Sequence, residues 1–155
     1  MPPVPSGLIT AYVGLGSNLG DRSRNLQGAI DRLGKVGIIS SVSSVYQTKP
    51  WMVDGYQPRY LNQVAAVQTT LDALQVVIEL LAIESSLGRV REKKNASRTL
   101  DLDLLLHGDT VLEATGVTVP HPRLHERAFV LVPLAEIAAE VVLPSLGRTI
   151  SELAD

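Results

Sequence analysis

The sequence predicts an α+β sandwich, a mainly antiparallel sheet with helices packed on one face, and three observations lead there. Four segments carry the β-branched or alternating residues of strands, two segments between them carry apolar residues at helical spacing, and together they follow the order strand, helix, strand, strand, helix, strand. That order is the one expected of a ferredoxin-like fold.

Taken in turn, residues 9–15 read as the first strand, 16–20 as a turn, and 21–33 as a helix with Leu26, Ile30 and Leu33 on one face. Gly34 and Gly37 end it. β-Branched, alternating residues place a second strand at 38–47 and a third at 61–69, with a long loop over 48–60 between them. Asp72, followed three residues later by Gln75, has the spacing of a capping box and opens a helix through Leu74, Val77, Ile78, Leu81 and Leu87 to Gly88. Residues 98–107 form the fourth strand. Short extended pieces follow near Val111 and at 117–119, then a helix from about 126 to 139. The tail, 143–155, reads as short and peripheral. Residues 1–8 read as a disordered tail and 9–155 as one domain, without repeat, linker or low-complexity tract.

A chain of 155 residues can bury roughly 70% of the surface its unfolded form exposes, so one core suffices. No apolar run reaches the roughly 18 residues a membrane helix needs, and the start has no basic segment leading into an apolar one. A cytoplasmic monomer is the expectation. With no cysteine, disulfides, thiolate catalysis and sulfur-bound zinc are excluded. The net charge of -2 argues against nucleic acid as a partner, yet the charge is unevenly placed. Between Gly88 and Arg98 stand Arg89, Arg91, Lys93, Lys94 and Arg98 against Glu92 alone, a local +4 that leaves -6 for the remainder. A focused basic loop on an acidic body suits a compact polyanion.

That loop runs into Leu100-Asp101-Leu102-Asp103. On a strand, Asp101 and Asp103 project from one face about 7 Å apart, with the leucines on the other. Mg²⁺ favours oxygen ligands and is commonly held by one or two carboxylates together with substrate phosphates. An isolated Asp-x-Asp also fits a solvated strand face, but here Leu105 and His107 are expected to continue the aspartate face, and cations adjoin it. Metal-bound nucleotide chemistry requires that pairing of carboxylates and cations. Arg89, Arg91 and Arg98 offer rigid forks of donors to phosphate, Lys94 a mobile point charge. The turn Gly14-Leu-Gly16-Ser-Asn-Leu-Gly20 has the spacing of neither a dinucleotide fingerprint nor a phosphate loop. Val119-Pro120-His121-Pro122-Arg123 fixes the backbone around His121, and Trp51, Tyr56 and Tyr60 can wall a flat ligand.

Gly16-Ser-Asn-Leu-Gly20, Tyr60-Leu-Asn62, Gly88-Arg-Val-Arg91, Arg98-Thr-Leu-Asp-Leu-Asp103, Val119-Pro-His121 and Arg127-Ala-Phe129 occur in one order along the chain. In this series the sequence resembles the 6-hydroxymethyl-7,8-dihydropterin pyrophosphokinase family of folate biosynthesis, from Thr10 to about Pro144. The resemblance implies transfer of pyrophosphate from ATP to the pterin hydroxymethyl group with release of AMP. It implies that Asp101 and Asp103 hold Mg²⁺, two ions bound with ATP. By the same resemblance Arg89 and Arg98 stabilise the transferred group, while Arg91, Lys94, Thr118, His121 and Arg127 contact ATP. Tyr60 and Phe129 would sandwich the pterin, Asn62 would pair with its polar edge, and Thr48, Pro50 and Trp51 would line it. Glu84 matches a family carboxylate of supporting role. The chain departs from the family in Lys94-Asn-Ala-Ser-Arg98, one residue shorter and without a tryptophan, in Leu81 for a frequent glutamine, and in Gly116 for an arginine. A binding module of the same fold, without turnover, is the alternative.

Overall fold

The computed structural model describes residues 7–17, 21–48, 60–87, 100–144 and 146–154. Along the chain these form β1 (Ile9–Ser17), α1 (Arg22–Arg32), a 3₁₀ turn (Leu33–Lys35), β2 (Ile38–Val42), β3 (Tyr46–Thr48), β4 (Tyr60–Thr69) and α2 (Ala73–Ser86). Then come β5 (Asp101–His107), β6 (Leu112–Ala114), β7 (Val117–Val119), a second 3₁₀ turn (Leu124–Glu126), α3 (Ala128–Ala138), β8 (Val142–Leu143), β9 (Arg148–Thr149) and α4 (Ile150–Ala154). The expected order of elements is present. The caps explain two of the helix starts: the Asp21 side chain accepts from Arg24 N, and Asp72 and Gln75 exchange both bonds of a capping box.

The main sheet is antiparallel throughout, in the order β2-β4-β1-β5, with β3 pairing the first residues of β4. What reads as one second strand is thus two, interrupted at 43–45. There the Ser43 hydroxyl accepts from Val64 N at 2.9 Å while Ser43 N donates to Val64 O, so polar pairing continues where the regular ladder stops. Gly37 lies so close to β4 that a Cβ would stand 2.0 Å from Gln68 O, which admits no side chain.

Helices cover both faces of this sheet, not one. Ala11, Val13 and Leu15 of β1 pack with Leu26, Ala29 and Leu33 around α1 and with Val76, Leu80 and Ile83 of α2. On the opposite face Tyr12, Val64, Ala66, Leu105 and Leu106 pack with Leu131 and Leu134 of α3 and Ile150 of α4. The reason lies in α3, whose run Ala-Phe-Val-Leu-Val-Pro-Leu is apolar around most of its circumference and needs a bed of its own. Burial on both sides also explains unbroken buried runs in β1 and β4 where a half-exposed strand would alternate. The tail is likewise integral: Leu143 and Ile150 are 1% and 0% exposed, and Ser151 N donates to Ala139 O.

Alternation in β5 fails once. Val13 pairs Leu104 and Tyr12 pairs Leu106, so Leu105 is an extra residue in a bulge. Leu102 and Leu104 pack on the α1–α2 side, while Leu105 and Leu106 both pack on the α3 side. Leu105 therefore does continue the aspartate face, but His107 does not. Its Nε2 lies 2.8 Å from Leu71 O, beside the other core.

Candidate active site

Register places the candidate residues in one row. Tyr46 of β3 pairs Asn62 of β4, Asn62 pairs Gly16 of β1, and Gly16 pairs Asp101 of β5. The neighbouring row runs Val64, Gly14, Asp103. Because Val64 faces α3, period-two geometry turns Tyr60, Asn62, Gly14, Gly16, Asp101 and Asp103 to that side. Gly16 leaves the floor of the row low, while the Leu105 side chain packs over Gly14. A Cβ built on Gly16 would touch Asn62 Oδ1 at 3.5 Å and the Tyr60 ring at 3.6 Å, so these side chains lean over it. Two strand spacings, about 10 Å, separate the Asn62 and Asp101 backbones.

Asp101 and Asp103 are half-buried and line a cleft of about 540 Å³ with Glu84, Thr118, His121 and Arg127. Glu84 explains how the strand is held. On α2 it falls where the apolar stripe of Val76, Leu80 and Ile83 continues, is 1% exposed, and accepts from Leu102 N at 2.7 Å. A buried carboxylate thus grips the outer edge of β5 midway between the aspartates. A glutamate on the apolar face of an otherwise aliphatic helix is a signal that sequence reading could have used. The two departures Leu81 and Gly116 line the same cleft.

The His121 loop is tied to β5, since His121 N donates to Leu105 O at 2.9 Å. Burial chiefly, and next the Arg127 charge, push its imidazole below the usual histidine range, with Asp101 pulling the other way. Arg123 N donates to His121 Nδ1 at 3.3 Å, which leaves the proton of the neutral ring on Nε2 as a donor. Arg127 stands at the N-cap position of α3, without a capping side-chain bond, and its guanidinium lies 5.6 Å from the Phe129 ring centre, over an aromatic that is 39% exposed. Among the described residues no group of three or more His, Asp or Glu side chains is arranged to enclose a metal. A cation shared with phosphates needs only one or two carboxylates from the protein, so the donor pair fits Mg²⁺.

The structure therefore gathers Asp101, Asp103, Glu84, Thr118, His121 and Arg127 around one cleft, with Tyr60 and Asn62 in the adjoining row. Thr48 pairs Tyr60 through its backbone. Pro50, Trp51, Arg89, Arg91, Lys94 and Arg98 lie outside the described residues.

Residues 12–139 match the sequence model of the 7,8-dihydro-6-hydroxymethylpterin-pyrophosphokinase family, which is most of the chain. The chain belongs to that family. Among pyrophosphokinase relatives, it is 41% identical to 2-amino-4-hydroxy-6-hydroxymethyldihydropteridine pyrophosphokinase of Haemophilus influenzae over 94% of this chain and 91% of the relative. Identity to the Synechocystis enzyme of the same name is 46%, over 92% of this chain and 73% of the relative. In architecture it is similar to the Plasmodium falciparum HPPK-DHPS protein with pterin and p-hydroxybenzoate, with a TM-score of 0.76 at 16% identity. That match covers 95% of this chain and 43% of the longer one. No helix among the described residues is long and apolar enough to cross a membrane.

Proposed function

We propose that this pyrophosphokinase transfers the terminal pyrophosphate of ATP to the hydroxymethyl oxygen of 6-hydroxymethyl-7,8-dihydropterin, releasing AMP, in folate biosynthesis. The observation that carries this reading is the cross-strand row from Asn62 over Gly16 to Asp101. In it the Asn62 amide and the Asp101 carboxylate stand about 10 Å apart across Gly16, which supports reading the amide as the partner of a ring edge and the carboxylates as the holders of a metal. A bicyclic ring with a short arm spans that distance.

In the transfer the hydroxymethyl oxygen attacks the β-phosphorus, its bond to the bridging oxygen of AMP breaks, and the hydroxyl proton is released. Asn62 holds the ring edge while Tyr60 and Phe129 offer apolar faces to it, with Thr48, Pro50 and Trp51 completing the wall. Neutral His121 donates from Nε2, and Arg127 and Thr118 add contacts to the nucleotide. Arg91 and Lys94 join them, and Arg89 and Arg98 balance charge on the group in flight. Mg²⁺, two ions held by Asp101 and Asp103, would neutralise phosphate charge and favour the in-line approach. Glu84 keeps the strand between these aspartates fixed through Leu102 N.

We also read the fold as ferredoxin-like, from the strand order with its two strand-helix-strand crossovers, extended by α3 and α4 over the second face. The protein is proposed to act as a monomer in the cytoplasm. Mixing ATP, Mg²⁺ and hydroxymethyl-dihydropterin with the protein tests the activity. AMP is the expected nucleotide product. ADP would overturn pyrophosphate transfer, and absence of pterin-dependent turnover would leave a binding module.

A further inference from the structure

Glu136 sits near the far end of α3 from the cleft, exposed, and outside every motif of the family resemblance. Three donors nevertheless converge on its carboxylate. Ser44 N lies 2.9 Å from Oε2 and 3.1 Å from Oε1, the Ser44 hydroxyl donates to Oε2 at 3.0 Å, and the Tyr46 hydroxyl donates to Oε1 at 2.5 Å. These donors belong to the interruption between β2 and β3 and to the first residue of β3. Ser44 makes no pair in the sheet ladder, and while Ser43 beside it stays bonded to β4, the Glu136 bonds are what tie this edge to the helix layer.

The tethered segment backs the pterin residues. Tyr46 is the cross-strand partner of Asn62, and Thr48 that of Tyr60. At its other end α3 presents Phe129, seven residues and two helical turns before Glu136, about 10 Å away along the axis. The same rigid helix therefore carries one aromatic wall of the pterin slot and the tether to the strand behind the other. We infer that Glu136 is a positioning residue that sets the width of the pterin slot by stapling α3 to the edge strand behind Tyr60 and Asn62. This rests on the reading of those residues as the pterin site.

The perturbed acidities agree with the staple. The Tyr46 hydrogen bond, first, and the Ser44 backbone next hold the Glu136 carboxyl below its ordinary range, while the same bond raises the Tyr46 phenol. Since the pair is solvent-exposed, its contribution to global stability is small, and slot geometry is where its loss is felt.

Steady-state kinetics of Glu136→Ala, Glu136→Gln and Tyr46→Phe test the inference. Glu136→Ala is expected to raise KM for the pterin several-fold, with kcat at saturating pterin and KM for ATP unchanged. Glu136→Gln should largely restore the pterin KM, because its amide oxygen still accepts from Ser44 and Tyr46. Tyr46→Phe should move the same constant in the same direction by less. An unchanged pterin KM in folded Glu136→Ala, or an equal rise in both KM values, would overturn it. Should Glu136→Ala fail to fold, Tyr46→Phe decides: a raised pterin KM supports the staple and an unaltered one refutes it. If the wild-type protein makes no AMP, the activity falls instead, and fluorescence titration of pterin binding to the same variants still judges the staple.

Discussion

On the face covered by α1 and α2, aliphatic side chains fill the sheet along its length, from Ala11, Val13 and Leu15 to Leu102 and Leu104. On the α3 face the filling stops at Tyr12, Val64 and Leu105, and Gly14, Gly16, Asn62, Asp101 and Asp103 take over. One face holds the fold and half of the other is given up to chemistry. The low floor at Gly16 forgoes apolar burial that would otherwise stabilise the sheet by roughly 25 cal/mol per Å². Substitutions should therefore separate cleanly by face.

The largest effect expected is from Asp103→Ala, which should abolish AMP release while leaving the melting temperature and much of the pterin binding in place. Near-normal turnover at saturating Mg²⁺ would break the contrast. Leu26→Ala, on the filled face at 2% exposure, should cost about 2–5 kcal/mol in a urea titration and leave kcat of the folded fraction intact. Between them stands Glu84, rooted in the filled face but serving the other. Glu84→Ala removes the carboxylate acceptor of the buried Leu102 N–H, for about 1–3 kcal/mol of stability, and should lower turnover as well. Glu84→Gln, whose amide oxygen can accept the same bond, should recover most of both, and failure to do so would assign Glu84 a role through its charge.

The smallest effect is a pH dependence. Glu136 has its folded acidity shifted below the ordinary value of 4.5, first by Tyr46. Its stabilisation is therefore complete above that value and is lost as pH falls through the lower folded value. The stability difference between wild type and Glu136→Gln, present at neutral pH, should shrink well below pH 4.5 in thermal melts. A difference that persists in acid would mean that the bonds do not depend on the charge.

Local chemistry made much of this legible in the sequence. Asp72 and Gln75 announce the start of α2, and the order of strands and helices follows from periodicity. Asp101 and Asp103 were legible as a pair because alternation is geometry. Features set by tertiary contact were not. The break at 43–45 depends on Ser43 meeting Val64 and Ser44 meeting Glu136, across 21 and 92 residues of sequence. The inward turn of the tail rests on Leu143 and Ile150, two apolar residues too far apart to form a pattern. The wrong face for His107 comes from a bulge, for which the run Leu104-Leu105-Leu106 is a hint that strict alternation overrides.

That bulge has a further consequence. An extra residue of this kind lengthens one strand without reversing the facing of what lies before and after it. Shortening the chain by Leu105 alone would thus keep Asp101 and Asp103 on one side and His107 on the other. What would vanish is the carbonyl to which His121 N is moored. Leu105 works as a spacer as well as a core residue: its backbone moors the loop that overhangs the aspartates, so a deletion there is expected to keep the facing of the strand, cost stability through the lost buried side chain, and misplace a ligand.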